Sequence, residues 1–219
     1  LGSRSFQGGR SPLTIYGPVG IKRFVETILT TSKTALRYPL SIIEIQDGMS
    51  LDLGEHNVYI KKLDHAIESF GYRIEEKAKR GTLLVERLKK QGIKPGPIYK
   101  AIKNGEQVKL EDGRIINGKD FLGPEQKGKI ITVLGDTRPC EAATSLANKA
   151  NVLIHEATFI KNDSHLAYDY FHSTSEDAAN IAKQAKVSKL ILTHISSRYQ
   201  SAKIEMLIKE ARKIFPKTY

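Results

Sequence analysis

Three short apolar runs in the second half of the chain, each followed by polar residues, constrain the fold most. ITVL precedes Gly135-Asp136, NVLI precedes His155-Glu156, and LILT precedes His194. Helical patterns lie between the runs, which gives the order strand, helix, strand, helix, strand. Continuous apolar strands of this kind are usually buried between covering layers. The pattern therefore predicts an α/β (α+β) fold in which strand ends gather Asp136 and His194 at one edge of a sheet.

The first third of the chain is rich in predicted strands. It opens with LGSRSFQGG, which we interpret as a loop, and continues with PLTIYGP, a strand bounded by proline and glycine. A helix is predicted next, because apolar residues recur at helical spacing, namely Ile21, Phe24, Val25, Ile28 and Leu29. The runs SIIEI, MSLDL, NVYIKKL and FGYRI then predict strands arranged as hairpins.

Composition limits where the protein acts. With 219 residues, 40% of them hydrophobic, the chain can bury one core, or one core with an inserted element. It has no apolar run near the roughly 20 residues that cross a bilayer, and its first residues lack the order of a signal peptide. Cys140 is the only cysteine, so neither an internal disulfide nor a two-cysteine zinc clip can form. We expect no membrane association and a cytoplasmic location.

A basic segment interrupts the strand pattern at residues 75–118. Its short helical patterns are broken by a Lys-Pro-Gly-Pro turn at 94–97, which is typical of an insertion. The segment contains eleven Lys and Arg against six Asp and Glu, so it holds +5 of the chain's net +11 charge. A basic field favours polyanions, although many basic proteins bind no nucleic acid. The main domain is therefore predicted to comprise residues 1–74 and 119–219.

Asp136, His194 and His65 are candidate metal ligands. Zinc accepts imidazole nitrogen and carboxylate oxygen, and a catalytic zinc keeps one position for water. His65 lies between two predicted strands, and Asp64 beside it could orient the imidazole or could equally form a surface ion pair. Each residue taken alone also has a structural explanation, since aspartate after a strand often forms a turn and histidine is often hydrogen-bonded.

His172 is a candidate proton donor. It precedes a Ser-Thr-Ser cluster and a helical run with Glu176 and Asp177 near its start. This pattern predicts a helix N-cap at Ser173 or Ser175. A histidine beside such a cap can also act as a general acid, because imidazole exchanges protons near neutral pH.

Jointly, the short motifs of the chain resemble those of the ribonuclease Z family. In order they are SRSFQGG, YGP followed by GIK, FGYRI, PGP, LEDGR, GDTRP, HEATF, HST and LTHISSRY. They span essentially the whole chain, and together they are far more specific than any one of them. The resemblance implies the metallo-β-lactamase fold, a four-layer αββα sandwich with an inserted flexible arm (exosite) and two zinc ions at the sheet edge.

The resemblance also implies roles for single residues. His65 matches a ligand of one zinc ion, Asp136 the carboxylate that bridges both, and His194 a ligand of the other. His172 matches the histidine that protonates the leaving oxygen, and Glu156 matches its orienting partner. The implied reaction is hydrolysis of precursor tRNA, which removes the 3′ trailer and leaves a 3′-hydroxyl on the tRNA.

The inserted segment resembles the family's arm, which holds tRNA away from the cut. The residues expected to contact RNA are Lys89, Lys90, Lys94, Pro95, Gly96, Pro97, Lys100 and Lys103. Lysines in this arm would neutralise phosphates and give affinity without reading the sequence. The resemblance further implies a homodimer in which one subunit's arm holds tRNA for the other's active site.

One family motif does not occur in the chain. The principal metal motif, His-x-His-x-Asp-His, normally precedes the SRSFQGG loop, and no such string is present. We therefore expect the chain to be a fragment: the intact enzyme would bind two zinc ions, whereas this chain alone would bind none tightly and be inactive. Two alternatives stay open, namely another binuclear hydrolase of the same fold and a non-catalytic RNA-binding relative that has lost its metal site.

Overall fold

The computed structural model describes residues 1–200 and 202–219, and the chain divides into two compact units. One unit comprises Leu1–Glu75 with Ile130–Tyr219, and the other comprises Glu76–Lys129. The helices are α1 (Gly2–Phe6), α2 (Ile21–Thr31), α3 (Val85–Lys90), α4 (Ile98–Lys103), α5 (Glu141–Ala147), α6 (Ser164–Asp169), α7 (Ser175–Gln184) and α8 (Ala202–Ile214). The strands are β1 (Leu13–Gly17), β2 (Leu40–Glu44), β3 (Ser50–Asp52), β4 (His56–Lys62), β5 (Phe70–Glu76), β6 (Gln107–Lys109), β7 (Ile115–Asn117), β8 (Ile130–Leu134), β9 (Val152–Glu156) and β10 (Leu190–Thr193). Among the described residues, no helix is both long enough and apolar enough to cross a membrane.

A six-stranded mixed sheet forms the centre of the first unit, with the strand order β10-β9-β8-β5-β4-β3. Strands β8, β9 and β10 are parallel to one another, whereas β5 runs antiparallel to β8 and β3 antiparallel to β4. The prediction of three apolar strands separated by helices is therefore confirmed. Because these strands are parallel, the residues that follow their carboxyl ends emerge at the same edge of the sheet.

Helices α5, α7 and α8 cover one face of this sheet. Alanines on the three helices, Ala143, Ala178 and Ala211, are fully buried in one cluster with Leu153 and Leu190 of the sheet. Small side chains on the helices let them approach the strands closely. Fully burying a leucine side chain stabilises a fold by about 1.5–3 kcal/mol, so this cluster is the principal core of the unit.

The opposite face of the sheet is covered only in part. Strands β1 and β2 form a small parallel sheet, and Tyr16 on it packs against the cluster that contains Val58 and Ile60 of β4. Helix α2 packs on β2 of the small sheet, and α5 packs on β4 of the large sheet. The layers at this end therefore follow the predicted order helix, sheet, sheet, helix. Further along, Ile131 on β8 and Ile191 on β10 are 40% and 38% exposed. The residues of this chain therefore bury these strands on the face covered by the helices and leave the other face partly open.

Two local predictions in the first third of the chain are wrong. Residues Gly2–Phe6 form α1 rather than a loop, and a tertiary contact anchors this helix, since the buried Ser5 hydroxyl accepts a hydrogen bond from the Arg37 amide at 2.6 Å. Strand β2 belongs to no hairpin: it pairs in parallel with β1, and α2 provides the crossover that parallel pairing requires. The predicted helix α2 and the hairpin of β3 with β4 are confirmed.

The second unit has a core of its own. Leu88 on α3 and Ile102 on α4 are fully buried together with Ile93, Leu110 and Phe121. Strands β6 and β7 pair as an antiparallel hairpin. An independent core of this kind is what an inserted element needs in order to hold its own shape.

The boundary of this unit differs from the predicted insertion at residues 75–118. Leu122 forms an isolated antiparallel bridge with Leu83, as Gln126 does with Lys79. These bridges pack residues 119–129 with the insertion, whereas the sequence pattern had assigned them to the main domain.

Candidate metal centre

The five predicted site residues of the first unit lie close together at the edge of the large sheet. The ring centroids of His65 and His172 are 5.0 Å apart, and those of His172 and His194 are 5.3 Å apart. His194 Nδ1 lies 3.5 Å from Asp136 Oδ1. Ligand atoms of His65, Asp136 and His172 lie within 4.8 Å of one another, and the same holds for those of Glu156, His172 and His194.

Each of the three parallel strands contributes to this cluster at its carboxyl end. Asp136 follows β8, Glu156 ends β9, and His194 follows β10. His194 has a left-handed backbone conformation, with φ 53°. Such a conformation costs a residue with a side chain about 1–2 kcal/mol, and strain of this kind collects at functional sites.

His65 is oriented by a backbone carbonyl group. Its Nδ1 lies 2.8 Å from the carbonyl oxygen of Phe171. A carbonyl oxygen can only accept a hydrogen bond, so Nδ1 carries the proton and the lone pair is on Nε2. Of the two roles considered for Asp64, the structure shows the ion pair: its carboxylate pairs with the Arg138 guanidinium at 3.0 and 3.1 Å and does not orient the His65 ring.

Glu156 is the buried centre of the hydrogen-bond network, with its side chain 1% exposed. One carboxylate oxygen accepts from His172 Nδ1 at 2.8 Å and from the Thr137 amide at 3.0 Å. The other accepts from the amide and the hydroxyl of Thr158, at 3.0 and 2.7 Å. Four donors satisfy a buried carboxylate and fix its position. His172 is thereby held with Nδ1 on Glu156, which leaves Nε2 available.

Thr158 is a site residue that the sequence analysis missed. Its hydroxyl contacts both Glu156 and, at 2.9 Å, His194 Nδ1. Because the hydroxyl has one proton, donating it to Glu156 leaves an oxygen lone pair to accept from His194 Nδ1. The HEATF motif contains this threonine, but a threonine two residues beyond a strand end has no signal of its own in the sequence.

Helix α7, which follows His172, begins with a capping box. Thr174 is the N-cap: its hydroxyl accepts from the Asp177 amide at 3.2 Å, and the Asp177 carboxylate accepts from the Thr174 amide at 2.9 Å. The predicted caps, Ser173 and Ser175, are each wrong by one residue. Their hydroxyls donate to other parts of the first unit.

His155 is a core residue and does not join the site. Successive residues of a strand point to opposite faces, so its ring lies on the face opposite the Glu156 side chain and is fully buried. Its Nδ1 lies 2.7 Å from the Glu156 carbonyl oxygen, and its Nε2 has no hydrogen-bond partner among the described residues. Burial lowers the pKa of His155, because the charged form loses its solvation.

The eight residues predicted to contact RNA all lie in the second unit, and all are exposed. Lys89 and Lys90 end α3, residues 94–97 form the following loop, and Lys100 and Lys103 lie on α4. The unit contains fourteen Lys and Arg against seven Asp and Glu, which gives it +7 of the chain's net +11 charge. The excess positive charge is therefore concentrated in the smaller unit.

The donor set at the sheet edge fits a metal ion. Imidazole nitrogen and carboxylate oxygen are the ligands that zinc and related divalent ions accept. Histidines that bind metals usually donate their other N–H to an acceptor in the protein. His65, His172 and His194 all have such a contact, at 2.8, 2.8 and 2.9 Å.

Comparison with solved structures defines the class of protein. Human tRNase Z, short form, superposes with a TM-score of 0.61 and 25% identity, covering 92% of this chain and 67% of that one. The metallo-β-lactamase fold protein YhfI from Bacillus subtilis superposes with a TM-score of 0.61 and 17% identity, covering 99% of this chain and 65% of that one. The fold and the cluster at its sheet edge define a hydrolase of the metallo-β-lactamase fold, as predicted.

Sequence comparison narrows this class to one family. No protein-family model matches the chain. Ribonuclease Z of Bacillus cereus (strain Q1) and ribonuclease Z of Bacillus thuringiensis (strain Al Hakam) are each 58% identical over 219 residues, which is 100% of this chain and 71% of each relative. The chain belongs to the ribonuclease Z family, the endoribonucleases that its motifs resemble.

Proposed function

We propose that the chain carries part of the catalytic centre of a zinc-dependent endoribonuclease, which removes the 3′ trailer from precursor tRNA and leaves a 3′-hydroxyl on the tRNA. The observation that carries the proposal is that Asp136 lies close to both His65 and His194 at one sheet edge, beside a histidine held by a buried glutamate. Similarity to human tRNase Z supports the choice of substrate.

We assign His65, Asp136 and His194 as residues that would hold zinc. Bound zinc would lower the pKa of a water molecule to about 7 and stabilise the charge that develops on the phosphate. The chain itself contributes alignment. Hydrogen bonds at Nδ1 of His65 and His194 fix each ring and leave its Nε2 lone pair free for a metal.

His172 is assigned as the proton donor. When the phosphodiester bond is hydrolysed, the 3′ oxygen of the tRNA departs and takes up a proton. Glu156 holds Nδ1–H of His172 at 2.8 Å, so a proton on Nε2 is the one available for transfer. A positioned general acid contributes about 10²–10⁴-fold to a rate.

We assign the second unit, Glu76–Lys129, as the arm that binds tRNA. Its net charge of +7 and its exposed lysines suit the phosphate backbone. Phosphate contacts are independent of base sequence, as an enzyme acting on many tRNAs requires.

The test is cleavage of a labelled precursor tRNA by the full-length gene product. His65→Ala, Asp136→Asn and His194→Ala are each expected to reduce both bound zinc, measured by mass spectrometry, and release of the trailer. His56→Ala removes an exposed histidine on β4 and is the matched control. Wild-type levels of zinc and cleavage in all three site variants would refute the metal assignment.

Deletion of the second unit separates this function from that of a small-molecule hydrolase of the same fold. Glu75 and Ile130 are paired residues on adjacent antiparallel strands, so an Asn-Gly turn can join them. The shortened enzyme should still hydrolyse a small phosphodiester but lose cleavage of precursor tRNA. Unchanged tRNA cleavage would refute the role of the arm, and binding of tRNA without hydrolysis by the intact protein would favour the non-catalytic alternative.

We further propose a homodimer in the cytoplasm. Helix α2 leaves Phe24 and Ile28, one turn apart, 61% and 47% exposed, as a self-association surface would. Replacing both with serine should give a monomer in light scattering, whereas Ile204→Ser on α8 should not.

The proposed location rests on the cysteine content. The free thiol of Cys140, the only cysteine, suits a reducing compartment.

A further inference from the structure

We propose that Arg138 is a positioning residue that fixes three loops of the metal centre in register, so that zinc affinity depends on its guanidinium group. The inference rests on the proposed function of the same site. Arg138 follows Asp136 in the GDTRP motif, and it contacts neither the substrate phosphate nor a metal in our assignment.

The first loop that Arg138 fixes is the one between β4 and β5. Its Nε and Nη2 donate to the two carboxylate oxygens of Asp64 at 3.0 and 3.1 Å, which is a bidentate pair. The backbones are tied as well, because the Arg138 amide donates to the Asp64 carbonyl at 2.8 Å and the Asp64 amide to the Thr137 hydroxyl at 3.2 Å. Asp64 is the chain neighbour of His65.

The second contact is with the segment that ends α6. The guanidinium carbon lies 4.0 Å from the ring centroid of Phe171 and 4.9 Å from that of Tyr168. Phe171 is in the left-handed conformation, with φ 58°, and its carbonyl oxygen accepts the hydrogen bond from His65 Nδ1. Stacking of Arg138 on Phe171 therefore helps to fix the position of the carbonyl group that orients His65.

Two of the residues that Arg138 contacts are chain neighbours of site residues: Asp64 lies beside His65, and Phe171 lies beside His172. The third loop is its own, which begins with Asp136. An exposed ion pair alone does little, but this one is bidentate and stacked on aromatic rings, and its arginine is only 21% exposed. A lysine could keep the charge at this position but could neither form the fork nor stack as a plane.

The test compares Arg138→Lys with wild type in the full-length protein stripped of metal. Competition with a chromophoric chelator measures zinc affinity, which is expected to fall by about 10–100-fold. Nitrogen-15 spectra of the metal-free imidazoles measure the tautomer of His65, and Arg138→Lys is expected to lose the single Nδ1–H form. Asp64→Asn should shift both readouts in the same direction. The double variant with Arg138→Lys should show little further change in either zinc affinity or the His65 tautomer.

Arg73→Lys is the matched control for general loss of stability. Arg73 is also largely buried, and it donates to the carbonyls of Leu146 and Asn148, each at 2.7 Å, away from the site. The Arg73→Lys variant should have a lower thermal midpoint of unfolding but an unchanged zinc affinity and an unchanged His65 spectrum.

Two outcomes would overturn the positioning role: a folded Arg138→Lys protein with wild-type zinc affinity and His65 spectrum, or an equal loss of affinity in Arg73→Lys. Neither readout uses tRNA. A wild-type enzyme that failed to cleave precursor tRNA would therefore refute the proposed function and leave this inference to be decided separately.

Discussion

Hydrogen bonds at Nδ1 align all three imidazoles of the candidate metal centre. The acceptors differ in kind: a backbone carbonyl for His65, a carboxylate for His172 and a hydroxyl for His194. Glu156 and Thr158 are hydrogen-bonded to each other and so join two of these contacts into one network. A substitution of either residue should therefore affect the orientation of both the His172 and the His194 ring.

Glu156→Gln is expected to lower the kcat of precursor-tRNA cleavage by about 100-fold or more, with little change in KM. The amide cannot accept from all four donors around Glu156, so it no longer fixes the His172 ring. Steady-state kinetics with a labelled precursor tRNA measure both kcat and KM. Glu176→Gln, which removes a carboxylate paired with Lys161, should stay within about twofold of wild type.

His155 should make the stability of the protein depend on pH. Its pKa is lowered in the folded protein from the ordinary 6.5, so the unfolded chain binds the proton first as the pH falls. The stability that neutral His155 contributes is thus present above pH 6.5 and is lost as the pH falls below it.

Urea unfolding of the metal-free protein between about pH 7 and pH 5 tests this dependence. His155→Leu should flatten the fall in unfolding free energy by up to about 1.4 kcal/mol per pH unit. His56→Leu, on the surface, should keep the wild-type slope. Equal slopes in His155→Leu and wild type would contradict the expectation.

Some site residues could be predicted from the sequence and others could not, for a physical reason. Asp136 and His194 follow apolar strands, where a polar side chain differs clearly from the residues before it. The groups that orient the candidate ligands have no such signal: the Phe171 carbonyl is a backbone group that every residue has, and Thr158 is an ordinary buried threonine. Their roles follow from where the fold places them.

Secondary-structure elements with a clear hydrophobic period were predicted correctly, and those set by tertiary contacts were not. The apolar strands β8–β10 and the amphipathic helix α2 belong to the first kind. Helix α1 has five residues, too few to be stable alone, and it depends on the contact between Ser5 and Arg37. The pairing of β2 with β1 depends on a crossover that no local pattern specifies.

The capping box of α7 is an element with a measurable contribution. Thr174→Ala is expected to lower the free energy of unfolding by about 1 kcal/mol, because it leaves the Asp177 amide without its acceptor. Thr174→Ser keeps the hydroxyl and should keep most of the stability. Urea denaturation measures both, and equal losses in the two variants would show that the methyl group matters rather than the cap.

At the scale of the whole molecule, chemistry and charge are divided between the two units. The first holds the candidate metal centre, and the second, with less than a third of the residues, holds +7 of the net +11 charge. Under the proposed function, this division would let the affinity for tRNA change without altering the arrangement of the candidate metal ligands.

Replacing Lys94, Lys100 and Lys103 with alanine should raise KM for precursor tRNA and leave kcat unchanged. Each phosphate contact adds about 0.7–0.9 to the slope of log affinity against log salt, so the slope should fall by about 2. Assays over a range of salt concentrations measure it. The matched control removes equal charge from α7 and α8 of the first unit, at Lys183, Lys209 and Lys213. Equal effects would show that only net charge matters.

The left-handed backbone at Phe171 and His194 has a consequence for attempts to make the protein more heat-resistant. Glycine adopts this conformation freely, so relief of backbone strain alone would favour glycine at either position. At His194 glycine would delete a candidate metal ligand, and at Phe171 it would delete the ring on which Arg138 stacks. The enzyme's robustness and its activity are therefore in conflict at these two positions.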